Sequence, residues 1–252
     1  MIALVLAETA AGGSALLWLS RLWGQVKRGF FVLVTSVTLG CAALATLAAS
    51  ASGNEAGATG RAAVWLGAGT SILLALSLLA LILRKMEPGR LLGLVAIPGA
   101  VGMLVALART ASASFPMAML QVLTGAAFMG AVIVGLLLGH WYLVDRRLPR
   151  DHIKRLAFLL LLAVGVETVA VAISGFGTST LPPGFNLFLG IGGVATWVAL
   201  GMVVATALIA VLIHFTLRGT ESRAVQAATG FFYLAVITAF AAEMAAKVRL
   251  VA

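Results

Sequence analysis

Charge is what this sequence has least of. Only 10% of its 252 residues are charged, against 62% hydrophobic, and acids are scarcer than bases, with 8 Asp and Glu to 17 Lys and Arg. A water-soluble domain carries about 25% charged residues. This chain cannot coat a surface of its size for water, so most of its exterior must meet lipid. Cysteine is almost missing too. Cys41 alone excludes an internal disulfide and any multi-cysteine iron–sulfur or zinc site within the chain. There is no Walker loop, no GxGxxG after a strand, no HExxH and no CxxC. The opening "MIALVLAETAAGGSALLWLSRLW" lacks the basic n-region of a signal peptide and carries Glu8 in its apolar part, so it reads as a first membrane helix.

What is present is a series of apolar runs. A helix needs about 20 apolar residues to cross a bilayer. Eight runs qualify, at 2–21, 29–50, 62–84, 90–108, 117–144, 156–174, 187–215 and 226–246, and they predict an all-α polytopic transmembrane bundle forming a single integral membrane domain. Pro98 and nearby glycines interrupt the fourth.

The net charge of +9 does not point to nucleic acid, because the cations lie in short loops between apolar runs. "RLWGQVKR", "RKMEPGR", "DRRLPRDHIKR" and "RGTESR" hold most of the 17 lysines and arginines. The alternate connections, "ASASGNEAGATGR", "TASASFP" and "SGFGTSTLPPGFN", are nearly neutral. Positive loops mark the cytoplasmic side. Both termini are therefore expected outside a bacterial-type inner membrane. The Pro182-Pro183-Gly184 stretch suggests a defined outer loop. Glycines at 12, 13, 190, 192 and 193 read first as helix-packing positions. The two sets of four spans share only a small-residue texture, which is too little to claim a repeat.

Charged groups in lipid are costly and face a bundle interior, a cavity or a partner. Glu8 lies roughly 9 Å below the outer end of its span, Glu243 roughly 5 Å below that of the last, and Glu167 near the centre of the sixth. Arg109, Gln121, Lys247 and Arg249 stand at or near the same outer level. The functional reading is an outward polar pocket of Glu8, Glu167, Glu243, Arg109 and Gln121 that handles protons with a quinone, or carries a proton or cation. A desolvated carboxyl can exchange protons near neutral pH. The structural alternative is that each glutamate pairs with Arg109, Lys247 or a backbone group. That alternative weighs most for Glu243, which has Lys247 at i+4. Glu167 has no charged neighbour in its own span.

His140 and His214 end two spans that both run inward, so their rings share a depth. Two such histidines can ligate one haem b or flank a quinone headgroup. Equally, His140-Trp141-Tyr142 can be interfacial trim, as Trp and Tyr gather where membrane meets water. His152, in a loop, leaves too few histidines for two bis-histidine haems. Trp18, Trp23 and Trp65 read as interfacial anchors, and Trp197 as a core residue. Lys247, near the end of its span, does not suit a retinal Schiff base.

Eight spans, "AETAAGGSALLWL" at the start and "FFYLAVITAFAAEMAAKVRL" at the end resemble the membrane-anchor subunits of the polysulfide-reductase and DMSO-reductase type. That resemblance implies an integral subunit of a respiratory or photosynthetic electron-transfer assembly. Such a subunit anchors redox partner proteins and contacts quinone or one haem b, and it is non-catalytic or quinone-reactive. The alternative is a small proton-coupled transporter or permease that uses the intramembrane glutamates. Transporters often carry broken helices, and Pro98 marks the one candidate here.

Overall fold

In lipid each backbone polar group must be satisfied within the chain, so long apolar segments become helices. The computed structural model describes residues 1–24, 26–52, 57–111, 114–145, 148–175, 194–219 and 222–251. These form eight helices: α1 (Ile2–Arg21), α2 (Arg28–Ser52), α3 (Gly57–Ile82), α4 (Met86–Arg109), α5 (Phe115–Val144), α6 (Asp151–Gly175), α7 (Val194–Thr216) and α8 (Ser222–Val251). Each is long and apolar enough to cross a membrane. The segment 176–193, with the expected outer loop and the glycines at 190, 192 and 193, lies outside the described residues.

Helix ends follow local chemistry. Pro116 sits in the first turn of α5, where its missing N–H costs no helical bond. The α3–α4 turn is tight, with Arg84 in the left-handed region at φ 62°. Arg28 closes the end of α3 by donating to the Leu81 and Ile82 carbonyls, both at 3.1 Å. That places a cation at a helix C-terminus, where the dipole favours it. Helix α4 runs unbroken through Pro98, so the interruption expected there does not occur. Membrane helices tolerate proline when neighbouring groups meet the freed backbone.

The helices pack as two rings of four. Helices α1 to α4 close one ring through the pairs α1·α2, α2·α3, α3·α4 and α1·α4; α5 to α8 close the other through α5·α6, α6·α7, α7·α8 and α5·α8. The rings meet mainly along α1 and α5, the two most buried spans. Glycine makes that meeting close. A Cβ on Gly12 would collide with the carbonyl oxygen of Ala126 and fall 2.6 Å from its carbon; one on Gly130 would fall 2.8 Å from the Gly12 Cα. The two halves thus share a packing pattern that their residues do not advertise.

The basic connections gather at one end of the bundle. There Lys27 pairs with Asp145 at 2.7 Å, Arg21 with Glu87 at 3.3 Å, and Arg150 donates to the Gly219 carbonyl at 3.1 Å. Trp18 is buried against Phe31 at 5.4 Å between ring centroids, and so is no surface anchor. Trp197, expected inside, is 65% exposed. Trp197 stands in the first described turn of α7, and for both aromatics the helical face decides burial.

Candidate functional site

The other end of the bundle holds a buried ionic cluster where α1, α5, α6 and α8 converge. Lys247 of α8 is its centre. Its Nζ lies 3.0 Å from Glu8 Oε1 and 2.8 Å from Glu243 Oε2, and donates to the Gln121 carbonyl at 2.9 Å. Glu8, Glu167, Glu243 and Lys247 are all fully buried. Glu243 and Lys247 share a face because they are four residues apart on one helix. Glu8 arrives from the first helix and Gln121 from the fifth.

Gly125 makes room for this arrangement. It stands one turn below Gln121, and a Cβ there would come within 2.8 Å of Glu243 Oε2 and 3.0 Å of Glu8 Oε1. Glu167 enters from α6 beside Glu243 and Thr124, without a well-formed hydrogen bond on either carboxyl oxygen. It makes no ion pair with Lys247 within 4.0 Å. The Gln121 side chain donates to the Ser174 hydroxyl, which in turn donates to the Ala170 carbonyl at 2.6 Å. A polar route therefore links the cluster to the last turn of α6.

Three carboxyls face one ammonium. An isolated charge in this setting costs several kcal/mol or more, so neutrality is strongly favoured. With Lys247 charged, the cluster is neutral only when its three carboxyls hold two protons between them. Among the described residues, no His, Cys, Asp and Glu grouping is arranged to hold a metal ion.

The other residues singled out from the sequence lie elsewhere. Arg109 is exposed, its guanidinium 5.3 Å from the centre of the Phe115 ring, and does not join the carboxyls. His140 is exposed near the C-terminal end of α5, on the side of the basic connections. His214 is half-buried, 3.4 Å from Arg218 and edge-on to Phe215. α7 packs against α6 and α8, and α5·α7 is not among the closely packed helix pairs. His152 is not in a loop. It occupies the first turn of α6, buried, with its ring stacked on Trp23 at 6.1 Å. Hydropathy located the apolar stretch of α6 but not the polar turn that precedes it.

One turn deeper than the carboxyls, a groove of about 430 Å³ opens between α4 and α6 over α1 and α5. Its walls are apolar and mostly small, including Ala11, Gly12, Ala126, Ala163 and Val166. The first ring is packed by small and apolar residues such as Ala45, Ala49, Ala100, Met103 and Leu104.

Fold and site together define an eight-helix polytopic membrane protein with a buried acid-rich cluster. No family model, curated protein or solved structure matches the chain.

Proposed function

We propose that this chain is a proton-coupled carrier, a small secondary transporter or permease of a bacterial-type cytoplasmic membrane, with its basic loops inside. The observation that carries this reading is the excess of buried acid around Lys247. Glu8 and Glu243 are held by the ammonium, while Glu167 has no cation within ion-pair distance among the described residues. Glu167 is therefore the group that takes and releases the exchangeable proton, and Glu8, Glu243 and Lys247 set its field. Gln121 and Ser174 offer the path toward the nearby membrane face.

A second reading has its own observation. The apolar groove beside the cluster suits the ring and tail of a membrane quinone, whose reduction consumes protons. On that reading the chain is an integral subunit of an electron-transfer assembly of the polysulfide-reductase or DMSO-reductase type, with redox proteins as partners. Glu8 and Glu167 then serve the quinone.

Infrared difference spectroscopy on the reconstituted chain tests the shared premise. A protonated-carboxyl band that moves on hydrogen–deuterium exchange is expected at neutral pH, and E167Q reduces it by about half, since Glu8 and Glu243 facing Lys247 then hold one proton in place of two. No such band, or one unchanged in E167Q, overturns the proton-carrying role of Glu167. Purification in mild detergent then separates the readings. A chain that runs alone and shows substrate-dependent proton flux in proteoliposomes supports the carrier; co-purifying redox subunits support the second reading.

A further inference from the structure

At the basic-loop end, far from the carboxyl cluster, a hollow of about 530 Å³ lies between the end of α1 and the start of α6. Its rim carries Trp23, Asp151, Lys154 and Arg155, and its floor is Leu19, Phe158 and Leu159. The order along α6 is that of an amphiphile. Lys154 and Arg155 stand one turn above Phe158 and Leu159, so cationic groups occupy the aqueous level and apolar groups the hydrocarbon level. Phe158 is 54% exposed toward the surrounding lipid.

Among the described residues, neither Lys154 nor Arg155 has a carboxylate within ion-pair distance. Two cations face the single acid Asp151, which leaves one positive charge in excess. Trp23 is fixed from two quarters: His152 stacks on it, and the Arg155 guanidinium carbon lies 5.8 Å from its ring centre. An indole held at this level is the usual partner of a lipid headgroup region.

We propose that this hollow is a binding site for one anionic diacyl phospholipid. The phosphodiester, with its single negative charge, sits between Lys154 and Arg155, and an acyl chain lies along Phe158 and Leu159. Basic pockets between membrane helices bind anionic headgroups in this way. The apolar floor is what selects a phospholipid over a free phosphate ester, which would leave Leu19, Phe158 and Leu159 uncovered. This site does not depend on the proton-carrying reading.

Native mass spectrometry of the delipidated chain in detergent tests the proposal, with phosphatidylglycerol and phosphatidylcholine of identical acyl chains as probes. Phosphatidylglycerol should be retained preferentially, and K154Q/R155Q should weaken it by roughly thirtyfold, on the order of fivefold for each cation. K154R/R155K should keep the preference, which separates charge from shape, and an unchanged unfolding temperature checks that both variants fold. Equal retention of the two lipids by the wild type overturns the proposal. So does a preference that survives K154Q/R155Q, or displacement of the lipid by an equal concentration of glycerol phosphate.

Discussion

Replacing Lys247 by methionine is the most direct assault on the cluster. Methionine keeps the length of the side chain and removes the ammonium that bridges Glu8 and Glu243. The carboxyls then require three protons for neutrality in place of two. A free glutamate is half-ionised near pH 4.3, so holding one more neutral at pH 7 costs about 1.36 kcal/mol for each of about 2.7 pH units, or about 3.7 kcal/mol. That matches the 3–5 kcal/mol, roughly, that follows from removing one partner of a buried pair. The sign with pH follows from linkage. The folded variant binds about one more proton, relative to its unfolded state, than the wild type does, so acid stabilises it selectively. The loss should be about 5 kcal/mol at pH 8 and shrink to about 1.6 kcal/mol at pH 5.5. Unfolding in detergent, followed by tryptophan fluorescence at several pH values, measures it. A loss that does not change with pH, or one below about 1 kcal/mol at pH 8, refutes the charge arithmetic.

Three further outcomes are expected. G12A forces α1 away from the backbone of α5 and should destabilise by about 1–3 kcal/mol or more, whereas G40A, with open space around it, should stay within about 0.5 kcal/mol in the same unfolding assay. G125V drives a side chain into the carboxylates of Glu8 and Glu243 and should cost about 1–3 kcal/mol, with loss of the carboxyl infrared band seen in the wild type. H140A/H214A should keep the wild-type absorption spectrum and unfold within about 1 kcal/mol of it; a haem absorption present in the wild type and lost in this variant would revive the ligand role.

Most of the architecture was legible because lipid imposes it. Hydropathy located α1 at its observed limits of 2 and 21, and every other helix in the right place, since only apolar runs of sufficient length can span. Polar ends were missed: α3 begins at Gly57 rather than 62, and α6 at Asp151 rather than 156. Of the candidate site, Glu8, Glu167, Glu243 and Gln121 were visible as polar residues that lipid would not tolerate. Which of them meet was not. Lys247 carried a signal, its i+4 spacing from Glu243, but nothing local shows that it also reaches Glu8 from the other end of the chain. Arg109 stood at a suitable depth on the wrong face of its helix, and depth is all that a linear count supplies. Gly125 could be flagged only by its position one turn from Gln121. The paired four-helix rings were hidden because packing pattern, and not residue identity, is what the two halves share.

The bridge between Glu8 and Lys247 also orders events during synthesis. The acid lies in α1 and its cation in α8, so six helices are synthesised between them. While those six helices are made, the growing polypeptide must carry that acid as a neutral group or leave it at the lipid surface, since an uncompensated carboxylate is expelled. Helix α8 therefore does more than fill its place in the bundle: it fastens α1 into position.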